Sequence, residues 1–363
     1  MNVDKMNIVE FQKDLIHWFI KEQRDLPWRK DSNPYKVWVS EIMLQQTRVD
    51  TVIPYYERFL EKFPTIKDFA DADDESVLKI WEGLGYYSRV RNLHTAVKEV
   101  VATYDGIVPN RPDEIKKLKG VGPYTAGAVL SIAYGVPEPA VDGNVMRVMS
   151  RILLIYDDIA KAASRKTFES AVRKMISHEN PSYFNQALME LGALICTPTS
   201  PSCLLCPVQE HCLAFHEGVQ TELPVKTRKV KTRHETRVAA VLNDEKGRIL
   251  IKKRPSEGLL ANLWEFPTMT EAVRVSSRKN ELITYLQAQL DVEVTVENGA
   301  FTKIDHVFSH LTWEVHAFRG EMKVNGPLAE SYKLVTIEEM ANYAFPVPYQ
   351  KIWQEYKNQY ELN

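Results

Sequence analysis

Cys196, Cys203, Cys206 and Cys212 are the only cysteines in a chain of 363 residues, and all four fall within one seventeen-residue window. A secreted disulfide scaffold spreads its cysteines along the chain. Crowding them into one loop calls instead for a metal or cluster site in a reducing compartment. Four thiolates hold either zinc or a [4Fe–4S] cube. Structural zinc ordinarily uses two separate C-x2-C knuckles, whereas the intervals here are six, two and five residues, with one such pair. That uneven spacing suits one loop wrapped around a larger object, so a cluster is favoured and zinc is the alternative.

The length suggests two domains at about 150 residues each. With 44% apolar and 26% charged residues, the composition is that of a soluble globular chain and excludes a disordered, collagenous or coiled-coil one. Charges from Asp4 onward and the lack of an apolar core in the first thirty residues predict no signal peptide. No run reaches the roughly 18 apolar residues of a membrane span. A net charge of -2 leaves any polyanion-binding surface to local arrangement.

Helical periodicity dominates the first two thirds. Met6–Gln23 places Phe11, Leu15, Trp18 and Phe19 on one face, and Lys36–Phe63 reads as a long helix interrupted at Pro54. Further helices are predicted at Asp73–Tyr87, Val90–Tyr104, Pro112–Lys119, Tyr124–Tyr134, Asn144–Tyr156, Arg165–Ile176 and Tyr183–Cys196. Lys226, Arg228, Lys229, Lys231, Arg233 and Arg237 then mark a basic connector. Beyond it the period falls to two. Val238–Leu242 and Arg248–Lys252 form a predicted hairpin around Asp244–Gly247, with strands at Val292–Val296 and Thr312–Phe318 and helices near Glu281–Leu290 and Pro348–Tyr360. The predicted division is a helical region over 1–220, a linker over 221–236 and an α+β domain over 237–363.

Three motifs carry chemistry besides the cysteines. Gly120-Val121-Gly122 lies between helical segments and offers backbone N–H groups at a helix start, a natural phosphate site, although such a turn is more often only a tight connection. Val141-Asp142-Gly143-Asn144 follows, and Asp142 read alone is an ordinary helix N-cap. Glu41 is the only acid between Pro34 and Arg48 and is flanked by bulky apolar residues. Read alone it is a surface glutamate of a helix; buried, its pKa would rise and it could act as a general acid.

Hairpin, aspartate and cysteines occur in the order and spacing of the endonuclease III (helix-hairpin-helix) family of DNA glycosylases, which this chain resembles. Leu26-Pro27-Trp28-Arg29 and Pro34 to Thr47 resemble the N-terminal signature of its adenine-removing members, and the likeness covers nearly the whole chain. The resemblance implies a [4Fe–4S] cluster on the four cysteines, and double-stranded DNA with adenine opposite 8-oxoguanine, or more weakly guanine, as partner. It implies Glu41 as the acid that protonates adenine N7, and Asp142 as the anion beside the developing sugar cation. Tyr124 and Asn144 would hold Asp142 and the departing base. Trp28, Arg29, Leu44 and Gln186 would line the adenine pocket. Gln46 and Tyr86 would wedge on the lesion side, and Gly120, Val121 and Gly122 would grip the backbone. The two carboxyls are expected to be tuned oppositely, Glu41 raised and Asp142 kept ionised. A monomer in a bacterial cytoplasm, beside the nucleoid, is expected.

Lyase members of that family carry a lysine two residues after the second hairpin glycine. Here Tyr124 stands there, and a phenol forms no imine. A monofunctional glycosylase is therefore expected, the alternatives being a bifunctional lyase or a non-catalytic iron–sulfur DNA-binding protein. The C-terminal part resembles a MutT-like (Nudix) domain through Val238–Leu242 and Leu263-Trp264-Glu265-Phe266-Pro267. The residues from Thr268 to Val275 lack the acidic cluster that holds Mg²⁺, which predicts a recognition domain. The stretch Asp305 to His310 resembles its 8-oxoguanine-sensing loop, with Phe308, Ser309 and His310 as the residues that would read the lesion.

Overall fold

The computed structural model describes residues 2–227, 232–270 and 278–359. The chain divides into two compact units, one of Met1–Ala72 with Arg89–Lys229 and one of Asp73–Ser88 with Val230–Asn363.

The first unit is helical. Its opening helix Ile8–Glu22 starts on Asn7, whose side chain accepts from the Glu10 amide, and buries Phe11, Leu15 and Phe19 at fourfold spacing. That stripe enters a core built with helices Gly143–Leu153, Arg165–Met175 and Pro181–Leu194. Helix Pro34–Leu44, capped by Asn33, is buried from Val37 to Met43 and packs on helix Pro123–Tyr134, which is buried from Thr125 to Ser131. Two apolar all-round helices pressed together form the centre of this unit.

The long helix expected over Lys36–Phe63 is two helices, and its break is not at Pro54. Pro54 sits inside the second helix, Val49–Lys62. The chain turns at Gln45–Arg48, where Gln46 takes φ 59°. The Arg89 guanidinium fixes the turn by donating to the carbonyls of Ile42, Met43 and Gln45 at 2.9, 3.0 and 2.5 Å. Those are terminal carbonyls that the helix leaves without partners, so a cation gathering them is favourable.

The second unit is a mixed sheet with a helix on each face. Its eight strands, among the described residues, are β1 Arg233–Asn243, β2 Ile249–Lys253, β3 Trp264–Glu265, β4 Thr268–Thr270, β5 Val292–Val296, β6 Thr302–Val307, β7 Leu311–Val324 and β8 Tyr332–Val335. β1 and β7 pair in parallel, from Arg233 opposite Leu311 to Asn243 opposite Glu321. Ala239 and Val241 face a core shared with Tyr349, Ile352 and Tyr356 of helix Val347–Gln359. Val238, Ala240 and Leu242 face another shared with Leu282 and Leu286 of helix Arg278–Gln289. Burial on both faces explains why β1 reads as a continuous apolar run.

Four boundaries differ from the sequence reading. β1 begins at Arg233, so 233–236 belong to the sheet; Arg228, Lys229 and Lys231 lie outside the described residues. The helix expected to Tyr87 ends at Ile80, after which Gly83 and Gly85 take φ 99° and 71°. Residues 73–88 group with the second unit, because their carboxylates and lysine bond to strand and loop residues there. Asp305–Val307, read as the start of a loop, are strand residues of β6, and only Phe308–His310 form the turn into β7. Part of the segment expected to lack an acidic cluster, residues 271–275, lies outside the described residues; the following helix Arg278–Gln289 contains one acid, Glu281.

Candidate active site

One cavity of about 160 Å³ in the helical unit is lined by Trp28, Arg29, Glu41, Leu44, Tyr124, Asp142, Asn144 and Gln186. These eight residues come from four helices and a short 3₁₀ turn, and all were singled out from the sequence.

Glu41 is 5% exposed. Burial pushes its carboxyl up to about 7; the neighbouring charge of Asp142 adds to this, while the Tyr124 hydrogen bond and Arg29 oppose it. The Tyr124 hydroxyl donates to Glu41 Oε2 at 2.5 Å and lies 3.7 Å from Met189 Sδ. The phenol thus holds Glu41, where the sequence expects it on Asp142.

Asp142 is the N-cap of helix Gly143–Leu153, accepting from the Val145 amide at 2.8 Å and from Asn144 Nδ2 at 3.1 Å. Its carboxyl is also raised above the ordinary range, because burial outweighs the donors that favour its anion. The expected opposite tuning is therefore corrected: desolvation acts upward on both groups. They differ in their partners. Asp142 accepts from backbone and side-chain amides near the Arg147 charge, whereas Glu41 accepts from one phenol.

Sequence reasoning missed two supporting groups. Glu190, 1% exposed, accepts from Arg24 at 2.7 Å and Arg29 at 2.9 Å. Burial alone would raise it, but those hydrogen bonds prevail and hold it at about 2. Arg29 is thereby fixed on the cavity wall by a buried carboxylate. Glu190 lies one helical turn beyond Gln186, and that spacing is the signal by which it could have been found. Arg147 donates to Asn144 Oδ1 at 2.9 Å, the Gly192 carbonyl at 2.7 Å and the Cys196 carbonyl at 2.8 Å. It joins the Asp142–Asn144 pair to the cysteine loop. The approach requires Gly192, since a Cβ there would stand 2.8 Å from Asn144 Cβ.

The four cysteines are half-buried, form no disulfide and line one apolar cavity with Ile152, Leu191 and Val208. Arg151, 1% exposed, donates to Cys196 Sγ at 3.2 Å and to the carbonyls of Thr197 and Pro198 at 2.8 and 3.0 Å. Among the described residues no three Cys, His, Asp or Glu side chains converge as a single ion requires. All four cysteines lie on the wall of this cavity. Soft ligands around an apolar space, with a buried cation beside one sulfur, fit an anionic iron–sulfur cluster. Burial pushes Cys206 up to about 12 and Cys212 up to about 11; thiols like these ligate as thiolates only when a bound metal centre displaces their protons.

At the hairpin, Gly120 takes φ 76°, and a Cβ there would stand 2.7 Å from Asn92 Cβ. Val121 is buried, with its amide donating to the Leu118 carbonyl, while Gly122 faces open space at the start of helix Pro123–Tyr134. Gln46 and Tyr86 both adopt left-handed backbone, at φ 59° and 47°, and both are exposed. In the second unit, Phe308 packs edge-on against Trp313 at 4.9 Å. Ser309 and His310 are exposed, and the Ser309 and Tyr86 hydroxyls are hydrogen-bonded.

A helical unit with a glycine hairpin, a buried carboxyl pair and a four-cysteine loop defines a DNA glycosylase of the helix-hairpin-helix class. Consistent with that, residues 39–174 match the HhH-GPD superfamily of base excision DNA repair proteins, and residues 237–355 match the NUDIX domain. The chain is 36% identical to the adenine DNA glycosylase of Arabidopsis thaliana over 88% of its own length, and spans 58% of that protein. It is 34% identical to the adenine DNA glycosylase of Rattus norvegicus, covering 98% of this chain and 79% of the relative. Among solved structures it is similar to endonuclease III trapped as a covalent intermediate with DNA, at 27% identity and a TM-score of 0.51, covering 60% of this chain and 99% of that one. The chain belongs to the adenine DNA glycosylase family, enzymes that hydrolyse N-glycosidic bonds in base excision repair.

Proposed function

We propose that this protein is a monofunctional glycosylase that removes adenine opposite 8-oxoguanine and, more weakly, opposite guanine. The observation that carries the reading is the Glu41–Asp142 pair in one cavity, with Tyr124 donating to Glu41. Removing a stacked base requires extruding its nucleotide, at a cost of a few kcal/mol. Trp28 offers the flat base an aromatic wall, and Arg29, Leu44 and Gln186 complete the pocket. With its carboxyl raised to about 7, Glu41 is protonated at neutral pH often enough to give a proton to adenine N7. The base leaves as the sugar gains cationic character, and Asp142, stabilised as an anion by Val145 and Asn144, faces that charge. Glu41, now ionised, can activate water.

Tyr124 stands where a lyase would place its lysine, which supports hydrolysis without an imine. Cys196, Cys203, Cys206 and Cys212 would hold a [4Fe–4S] cluster whose chemistry here is to fold and stiffen its loop. Gly120, Val121 and Gly122 would meet the DNA backbone, Gln46 and Tyr86 would wedge beside the lesion, and Phe308, Ser309 and His310 would read it. No helix among the described residues is long and apolar enough to cross a membrane. The reading also includes a monomer in the bacterial cytoplasm, near the nucleoid.

The test is excision from duplexes with adenine opposite 8-oxoguanine, guanine or thymine. Rates should fall in that order, with thymine duplexes untouched and no strand cleavage before alkali. Equal rates on all three, or enzyme-dependent strand cleavage, would refute it.

A further inference from the structure

Asp73–Tyr87 is read from the sequence as one more helix of the N-terminal region, yet residues 73–88 belong to the C-terminal unit. Their anchor is Glu75. Its Oε1 accepts from Lys253 Nζ at 2.6 Å, and its Oε2 accepts from Trp264 Nε1 at 2.9 Å. Trp264 is 1% exposed, so its N–H depends on a protein acceptor. Further along, Lys79 donates to the Tyr343 carbonyl at 3.0 Å, and Glu82 accepts from the Phe345 amide at 2.7 Å.

The segment is also braced internally. Trp81, fully buried, donates to the Gly85 carbonyl at 3.1 Å, and the Gly83 amide donates to the Tyr87 hydroxyl at 3.1 Å. At its far end the left-handed Tyr86 meets Ser309. A stiff strap thus runs from Glu75, fixed on β2 and β3, to Tyr86, fixed on the β6–β7 turn.

We propose that Glu75 is a specificity-positioning residue: by pinning the strap to Lys253 and Trp264 it makes Tyr86 part of the lesion-reading unit and sets the preference for adenine opposite 8-oxoguanine over adenine opposite guanine. Glu75 touches no DNA in this role; it acts through the position of Tyr86. The inference rests on the reading that the C-terminal unit senses 8-oxoguanine.

The test uses the full chain with its cluster. Single-turnover excision is measured on both duplexes for the wild type, Glu75→Ala, Glu75→Gln and Lys253→Met. Glu75→Ala should lower the ratio of the two rates roughly tenfold, the effect of leaving the buried Trp264 N–H without its charged acceptor. Excision opposite guanine should be unchanged. Glu75→Gln, which still accepts from Trp264, should recover most of the ratio, and Lys253→Met should fall between. Hydrogen exchange of peptides spanning 73–88 should rise in Glu75→Ala, with no change over 34–44. A wild type without any preference overturns the functional reading and this inference together. A wild type with the preference, and a Glu75→Ala variant that keeps both ratio and protection, overturns the inference alone. Should Glu75→Ala fail to fold, Glu75→Gln and Lys253→Met decide by the same ratio, and unchanged values overturn the role.

Discussion

The Tyr124 hydroxyl donates to the buried carboxyl of Glu41 at 2.5 Å, and this one bond joins the hairpin helix Pro123–Tyr134 to the proposed proton donor carried by helix Pro34–Leu44. It favours the ionised form of Glu41 while burial opposes it, with burial the larger effect. Removing the hydroxyl should raise the Glu41 pKa further. In Tyr124→Phe the alkaline limb of the pH–rate profile for excision is therefore expected to move to higher pH. A limb that stays in place, or moves down, would show that Tyr124 does not act on Glu41.

Glu41 should also cost stability. Its pKa is about 7 when folded against 4.5 as a free side chain. Between those values the folded state binds the extra proton, so stability falls as pH rises from about 4.5 to about 7. The shift amounts to about 3 kcal/mol. Glu41→Gln removes this penalty. Its melting temperature should exceed that of the wild type at pH 8, and the gap should close towards pH 4.5. An equal gap at both pH values would contradict the buried, titrating carboxyl.

Much of this site was legible because its residues announce themselves locally. Glu41 is one acid in an apolar run, which leaves open a surface or a buried place; the helix is buried from Val37 to Met43. Gly120 and Gly122 mark a tight turn before a helix, and the order of turn, aspartate and cysteines, not the turn alone, points to a hairpin. The remainder was set by tertiary contacts. Pro54 looked like a helix breaker, but near a helix N-terminus it displaces only one hydrogen bond, and the real break at Gln46 is held by Arg89 from a distant segment. Asp142 was expected to stay low at its helix cap, yet burial, invisible in sequence, raises it. Glu190, Arg147 and Glu75 act through partners up to 189 residues away. A single sequence shows no such pairings.

Borohydride trapping with an adenine-containing mispair should yield almost no covalent enzyme–DNA product, since Tyr124 offers no amine. Denaturing gels before and after reduction check this. Abundant trapped product would point to an unrecognised lysine and restore the lyase alternative.

The purified protein should be yellow-brown and contain roughly four irons per chain, as a four-cysteine cube requires. Cys203→Ser should lower iron content and melting temperature together. A colourless, fully active protein with one zinc would contradict the reading of the cavity.

In the C-terminal unit, Ser309→Ala with His310→Ala should erode the preference for 8-oxoguanine over guanine by roughly 1–3 kcal/mol, the worth of one good base-edge contact. The rate once adenine is bound should change little. An unchanged preference would place the discriminating contact at Gln46 instead.

The most direct measurement is single-turnover adenine excision by Glu41→Gln on a duplex with adenine opposite 8-oxoguanine, alongside its binding to the same duplex. General acid catalysis contributes about 10²- to 10⁴-fold, so the rate should drop at least a hundredfold while affinity is retained. A rate close to that of the wild type would contradict Glu41 as the proton donor and, with it, the chemistry assigned to this cavity.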